Sequence, residues 1–249
     1  MKKENEVLTE NLAYLKLAWI RDHHQNEAAD AAEKHRTHID YLTRLIEGET
    51  LQRRTRAIER RIKTARFPLI KTLEQFDWNW PSSINRQQIQ NAFRLHFIEE
   101  KNNLIFLGGV GLGKTHLATA LGHQACLQGH RVLFTSAAEI INTLTAAQAA
   151  RRLKDELKKY RRPDLLIIDE LGFLPIDKQG ADLLFQIISN RYERGSILLT
   201  SNKSYKTWPE VFNNDSTLTA AILDRLLHHC ETICIEGQSY RMKDRIEPA

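Results

Sequence analysis

The sequence has few cysteines and no long apolar run. Of its 249 residues only three are cysteine, and no CxxC pair occurs. This odd and unclustered set predicts neither a disulfide framework nor a zinc site. No apolar stretch approaches the roughly 18 residues of a membrane-spanning helix, so we expect no membrane association. The N-terminus, MKKENEV, lacks the apolar segment of a secretory signal, so we expect a cytoplasmic location.

No charge of either sign dominates the composition. There are 36 Lys and Arg against 31 Asp and Glu, a formal net charge of +5, with 42% hydrophobic and 27% charged residues. These values are typical of globular proteins and exclude global disorder. The small positive excess is by itself only a weak indication of nucleic-acid binding. The length suits one large domain, or one domain with an appendage.

The first 66 residues have no proline and a single glycine, Gly48, which is a helical composition. Apolar residues recur at helical spacing from Leu8 to Trp19 and from Ala28 to Ile46. We expect Gly48 to separate the second helix from a third over about residues 49–66. Phe67 precedes a proline and avoids the helical conformation, so it should end this helix. We therefore predict a helical domain over residues 1–66 and a second domain over 67–249.

Two basic runs are open to two interpretations. One lies in the predicted third helix, and the other lies between two later strands. Either run could be a solvated helix face or a surface that contacts DNA phosphates. The candidate DNA-binding residues are Arg53, Arg54 and Arg56 in the first run, and Arg151, Arg152 and Lys154 in the second.

The strongest motif in the chain is GGVGLGKT, residues 108–115, which matches the phosphate-binding pattern GxxxxGK(S/T). It follows the apolar strand pattern of residues 104–107 and precedes a helical pattern. Backbone N–H groups of such a loop converge on phosphate oxygens, the lysine reaches the β- and γ-phosphates, and the threonine ligates Mg²⁺. We expect ATP and Mg²⁺ as cofactors. The predicted nucleotide contacts are Gly108, Gly109, Val110, Gly111, Leu112, Gly113, Lys114, Thr115 and His116.

Further strand patterns end in polar residues. LLIIDE ends in Asp169, expected to hold Mg²⁺ with Thr115, and in Glu170, expected to be the general base that polarises water. SILLTSN ends in Asn202, which could bond the γ-phosphate or the attacking water. Strand patterns that alternate with helical ones predict an α/β protein with a parallel sheet. The aromatic segment FDWNWP, residues 76–81, could be core packing or could flank a nucleotide base.

These motifs together resemble the AAA+ ATPases of the DnaA/DnaC branch, and most narrowly the IstB family of transposition helper ATPases. The resemblance rests on the P-loop, LLIIDELGFLP, NRYERGS, LLTSNK and LDRLLHHC. It implies an AAA+ fold, here with a helical N-terminal domain. The sequence ends eight residues after Arg241, so we expect no C-terminal lid domain, which departs from the AAA+ pattern. It also implies Arg225 as an arginine finger acting between subunits, and it makes Arg241 a candidate for a second phosphate sensor. Whether Arg191 and Arg194 act between subunits stays open.

The resemblance implies an ATP-driven homo-oligomer, a ring or a spiral, that holds duplex DNA by its backbone and presents it to a partner transposase. A helicase loader for single-stranded DNA is the alternative within the same fold. A scaffold that binds ATP and hardly hydrolyses it is a third possibility, which Glu170, Asn202 and Arg225 argue against. The chain contains no helix-turn-helix or finger motif, so sequence-specific readout is not expected. The number of subunits and the role of the N-terminal helices stay open.

Overall fold

The computed structural model describes residues 2–81 and 83–240. The chain divides into two compact units, an N-terminal unit of residues 1–60 and a C-terminal unit of residues 61–249. Within the described residues, every helix is too short or too polar to cross a membrane.

The N-terminal unit consists of helices packed on a small apolar core that includes Leu12, Ile20 and Leu45. Glu49 is buried and caps the second helix, because its Oε2 accepts the backbone N–H groups of Trp19 at 2.9 Å and Ile20 at 3.3 Å. These groups have no partner inside their own helix, so the carboxylate stabilises the helix start. The helices are α1 (Lys2–Tyr14), α2 (Ala18–Glu33) and α3 (His38–Ala65), of which α3 continues into the C-terminal unit.

The expected helix break at Gly48 is wrong, since α3 runs through this residue without interruption. A methyl group at Gly48 would overlap the indole ring of Trp19. The glycine therefore serves the close approach of α2 and α3, and that packing outweighs its low helix propensity. The break lies earlier, between Glu33 and His38, so the apolar pattern of residues 28–46 covers two helices and not one.

The C-terminal unit is built on a six-stranded sheet in the order β1-β6-β2-β5-β4-β3. All neighbouring strands are parallel except β1 and β6, which pair antiparallel. This confirms the expected α/β class. The parallel strands place their carboxyl ends at one edge of the sheet, where ligands bind in such folds. The strands are β1 (Ser83–Ile84), β2 (Asn103–Gly108), β3 (Val132–Ser136), β4 (Leu165–Leu171), β5 (Ser196–Ser201) and β6 (Cys230–Glu236).

Helices cover both faces of this sheet, and each face has its own apolar core. Alternate residues of one strand serve the two cores, as Ile167 and Ile168 of β4 do. Two short helices follow β1, and between them Leu95 takes a φ of 66°. The helices are α4 (Arg86–Ala92), α5 (His96–Glu99), α6 (Lys114–Leu127), α7 (Ala137–Ala149), α8 (Leu153–Arg161), α9 (Lys178–Arg191), α10 (Trp208–Val211) and α11 (Ser216–Leu227).

Candidate nucleotide-binding and catalytic site

The glycine-rich loop joins β2 to α6 at the carboxyl edge of the sheet. Lys114 is the first residue of α6, and its Nζ donates to the carbonyl oxygens of Gly108 at 2.7 Å and Gly109 at 2.6 Å. The ammonium group thus lies over the loop. Gly113 has a φ of +84°, and a Cβ there would lie 2.6 Å from Cε2 of Phe76. Only glycine fits this position. The backbone conformation of Gly113 turns the N–H groups of the first turn of α6 toward the loop, as anion binding at a helix start requires.

A carboxylate from β4 faces the same helix start. The Thr115 hydroxyl lies 3.1 Å and 3.0 Å from the two carboxylate oxygens of Asp169, which is buried. A hydroxyl and a carboxylate are hard oxygen donors of the kind that Mg²⁺ binds in nucleotide sites. The donor set predicted from the sequence is therefore assembled, and it fits Mg²⁺.

Glu170 lies in a β-bulge. Ile168 pairs with Leu199 and Leu171 with Ser201, so two residues of β4 face one residue of β5. Glu170 takes a φ of +61°, and its side chain is exposed whereas Asp169 is buried. A bulge of this kind redirects a side chain. The two neighbouring acids thus occupy different environments, which suits their different predicted roles.

Thr200 of β5, which the sequence analysis did not single out, joins these two acids. Its hydroxyl donates to Oδ1 of Asp169 at 2.5 Å and accepts the backbone N–H of Glu170 at 3.0 Å. The bulge takes this N–H out of the regular strand ladder, and Thr200 satisfies it. The only sign of this role in the sequence was a threonine two residues before Asn202. Its bonds to Asp169 and Glu170 became apparent only from the register of β4 and β5.

We expect Thr200→Val to lower both stability and ATP turnover. Valine has nearly the same shape but leaves the Glu170 N–H unpaired, which costs about 1–3 kcal/mol of unfolding free energy. Loss of the bond to Asp169 should raise the Mg²⁺ concentration for half-maximal ATPase activity by about 10-fold or more. Thr200→Ser keeps the hydroxyl and is the matched control. Equal Mg²⁺ dependence in the valine and serine variants would contradict this positioning role.

Asn202 follows β5 and directs a polar atom into the protein. Its Oδ1 is buried and has no hydrogen-bond partner among the described residues. The turn that carries it is held by Ser201, whose Oγ donates to the Leu171 carbonyl at 2.7 Å and accepts the Lys203 N–H at 3.1 Å. Buried polar atoms are rarely left unpaired, and an unpaired one beside a functional site points to a missing partner.

The loop also borders a cavity of about 450 Å³ with aromatic walls. Phe76 belongs to the apolar core and also lines this cavity, so its segment contributes to packing. Trp80 and Tyr240 meet edge to face with ring centroids 5.7 Å apart, and the Tyr240 N–H donates to the Gly111 carbonyl at 2.9 Å. His116 lies on the wall, with Nε2 2.8 Å from the Thr72 carbonyl. Arg241, the predicted second phosphate sensor, lies outside the described residues.

The three arginines considered for contacts between subunits have different environments. Arg191 is buried and donates to four backbone carbonyls, those of Tyr160, Pro163, Asp164 and Ser196, at 2.7–3.1 Å. Burial lowers the pKa of its guanidinium to about 10. Arg191 thus links backbone segments inside the protein by hydrogen bonds and is not available to a neighbouring subunit. Arg194, in contrast, is exposed.

Arg225 is the arginine predicted as a finger. Its Nη1 donates to the Ala221 carbonyl at 3.0 Å, and its guanidinium lies 4.8 Å from the centre of the Phe185 ring. It does not appear among the described residues that line the cavity beside the P-loop. Within one chain, the structure therefore places Arg225 against α9 and does not bring it to the P-loop.

The two basic runs contain cations that pair with acidic residues as well as exposed candidates for DNA contact. Arg53 donates to Glu49 Oε1 and to the Lys16 carbonyl, so it stabilises the N-terminal unit, while Arg54 and Arg56 are exposed. In the second run, Lys158 pairs with Asp155 and Lys159 with Glu156. The candidates Arg151, Arg152 and Lys154 are exposed where α7 passes into α8.

The parallel sheet, the P-loop and the acids of β4 define an AAA+ P-loop protein. Solved structures share this fold. One is DnaA bound to AMPPCP and single-stranded DNA, which is 25% identical in sequence. The match has a TM-score of 0.54 and covers 69% of this chain and 52% of that one. Another is the DnaC helicase loader, which is 22% identical in sequence. The match has a TM-score of 0.53 and covers 66% of this chain and 96% of that one. The match covers about half of each of two DnaA chains solved with AMPPCP, 52% and 54%.

The chain belongs to the family of IstB-like ATP binding proteins, whose profile matches residues 10–248. It is 42% identical to the IS21 insertion-sequence ATP-binding protein of Pseudomonas aeruginosa, over 97% of this chain and 90% of that protein. It is 41% identical to the IS232 counterpart of Bacillus thuringiensis subsp. berliner, over 98% of this chain and 97% of that protein. This confirms the family that the motifs predicted.

Proposed function

We propose that this protein is an Mg²⁺-dependent ATPase that assembles on DNA and assists a transposase. The observation that carries the proposal is the network in which Thr200 joins Asp169 and Glu170 beside Thr115 of the P-loop. The insertion-sequence proteins it is related to are ATP-binding proteins by name. A nucleotide-binding site alone would not need a second, exposed acid held in a bulge.

The residues divide the chemistry of hydrolysis among them. Lys114 and the loop N–H groups bind the β- and γ-phosphates, and the aromatic wall of Phe76, Trp80 and Tyr240 is suited to an adenine ring. Thr115 and Asp169 would hold Mg²⁺, which would neutralise charge on the phosphates. Glu170 takes a proton from the attacking water, and the Asn202 amide positions that water or the γ-phosphate.

The place of Arg225 supports an assembly of subunits. The structure leaves it away from its own P-loop cavity, half-buried on α11 against Phe185. An arginine that stabilises charge on the transferred phosphoryl must reach the site, so we propose that Arg225 acts on the neighbouring subunit. One contact repeated from subunit to subunit generates a ring or a spiral.

DNA binding rests on the exposed cations of the second run. Repetition of Arg151, Arg152 and Lys154 along an oligomer would line up many phosphate contacts on one duplex, so ATP-dependent assembly should tighten binding. Backbone contacts of this kind carry little sequence information, which suits a protein that presents varied targets.

We expect the triple change of Arg151, Arg152 and Lys154 to glutamine to flatten the salt dependence of duplex binding. Each lost phosphate contact removes about 0.9 from the slope of log K against log salt, so the slope should fall by about two to three units. Fluorescence anisotropy on unrelated duplexes with AMPPCP measures it. Lys158→Gln with Lys159→Gln is the control on the same helix, since both are paired with acids, and should change the slope little. The double change Arg54→Gln and Arg56→Gln tests the N-terminal run and leaves the structural Arg53 intact.

An unchanged slope in both sets of variants would show that the basic runs are solvated faces. The helicase-loader alternative has its own test. Strand transfer into duplex targets by a transposase encoded beside this chain should require ATP and Glu170. Loading of a replicative helicase onto single-stranded DNA, with no effect on strand transfer, would instead support the loader.

A further inference from the structure

Three metal-ligating side chains meet at the ends of two helices outside the nucleotide site. Glu193 follows α9, and His228 and His229 follow α11. One ligand atom from each lies within 4.8 Å of the other two, and all three residues are exposed. We propose that Glu193, His228 and His229 bind a divalent transition-metal ion of the Zn²⁺ type.

The chemistry of the three groups suits such an ion. Two imidazoles and one carboxylate form a ligand set that Zn²⁺ uses with a fourth position left open. Imidazole favours Zn²⁺, Ni²⁺ and Cu²⁺ over Mg²⁺ and Ca²⁺, which prefer oxygen ligands. The cysteine content of the sequence predicted no zinc site. The adjacent histidines and the distant Glu193 form no recognisable ligand spacing, so nothing in the sequence indicated this cluster.

The local structure already brings the groups together. The imidazole rings of His228 and His229 have centroids 4.1 Å apart. Glu193 has a φ of +57°, a conformation that residues other than glycine rarely adopt, in the turn that follows α9. A tetrahedral ion with ligands at 2.0–2.1 Å needs its ligand atoms about 3.3 Å apart, and rotation of three exposed side chains can close that difference.

Tyr192 supplies the second contact that a ligating histidine needs. Its hydroxyl lies 2.6 Å from Nδ1 of His228, and the two rings are stacked with centroids 5.9 Å apart. This bond restrains the His228 ring, so an ion bound at Nε2 would find the imidazole already oriented. Ligating histidines commonly have their other nitrogen held in this manner, and removal of such a partner weakens metal binding by about 10–100-fold.

A bound ion would link α9 to α11 beside Arg225. Arg225 lies one turn before His228 on α11 and packs on Phe185 of α9. The ion would therefore hold together the two helices between which this arginine is seated. Binding of the ion does not depend on the ATPase activity proposed above, so it can be measured without nucleotide.

The experiment is titration of the full-length, metal-stripped protein with Zn²⁺ by calorimetry, and with Co²⁺ by visible absorption, in the absence of nucleotide. We expect one ion per chain, and Co²⁺ bands of a four-coordinate site. His229→Ala and Glu193→Gln should each weaken binding by about 10-fold or more, and Tyr192→Phe by about 10-fold. Zn²⁺ should raise the Tm of the parent more than that of Glu193→Gln, because the variant binds the ion more weakly.

Two controls separate this site from other metal binding by the chain. His38→Ala removes an exposed histidine in the N-terminal unit and should leave affinity unchanged. Cys230→Ser tests the thiol next to His229 and should also leave it unchanged. The proposal is overturned if the double variant His228→Ala, His229→Ala binds Zn²⁺ as the parent does. It is also overturned if Cys230→Ser weakens binding as much as His229→Ala does, because the site would then be thiolate-based.

Discussion

Glu170→Gln should bind ATP with the affinity of the parent and hydrolyse it about 10²–10⁴-fold more slowly. Glutamine has nearly the same shape but cannot accept the proton of the attacking water, and loss of a general base costs this much. The bond that holds residue 170 is made by its backbone N–H to Thr200, so the substitution leaves the bulge intact. Single-turnover hydrolysis and equilibrium binding of a fluorescent ATP analogue measure the two quantities separately.

Lys114→Ala is the contrasting variant. Its ammonium lies over the loop carbonyls of Gly108 and Gly109, so its removal takes away the main counter-charge for the phosphates. It should lose ATP binding, and with it all turnover. If Glu170→Gln hydrolysed ATP at the parental rate, Glu170 would not be the base and the bulge would need another explanation.

Arg225→Ala should bind ATP yet lose about 10³–10⁵-fold in turnover, the usual loss when an arginine finger is removed. If the finger acts on the neighbouring subunit, mixing this variant with Lys114→Ala should restore activity. The first variant supplies an intact P-loop and the second supplies Arg225. In an equimolar random mixture roughly a quarter of the subunit contacts should combine both. A steady-state ATPase assay over a range of mixing ratios measures the rescue.

The matched control is a mixture of Arg225→Ala with the double variant Lys114→Ala, Arg225→Ala, in which no subunit carries the arginine. Any activity there would come from another source. Because Arg225 also packs on Phe185, thermal denaturation should confirm that the single variant is folded. Absence of rescue at every ratio, in oligomers shown to contain both variants, would contradict a site shared between subunits.

The part of the site that lies close together in the sequence could be predicted. The P-loop residues 108–115 act through a local turn, and each residue type has a reason in the turn itself. The acids Asp169 and Glu170 follow an uninterrupted aliphatic strand. Such patterns depend on neighbouring residues, and the structure confirmed the strands that carry them.

Residues that act through distant partners could not be predicted. Gly48 had the appearance of a helix break until Trp19 was seen against it. Arg191 carried a charge that suggested a surface role, and only the fold surrounds it with four carbonyls. Strand β6 was also not predicted, and neither was its antiparallel partner β1, whose two residues are too few for a periodicity to be detected.

The sequence alone thus determined the fold class, the family, the phosphate-binding loop and the two acidic residues of β4, because these depend on contiguous residue types. Tertiary structure alone decided three further points: that Thr200 joins the two acids, that Arg225 lies away from its own P-loop cavity, and that Glu193 meets two histidines. Each depends on the register of strands or on how helices from separate parts of the chain pack. Hydrogen bonds and metal ligands act over a few ångströms, and only folding brings such distant residues within that range.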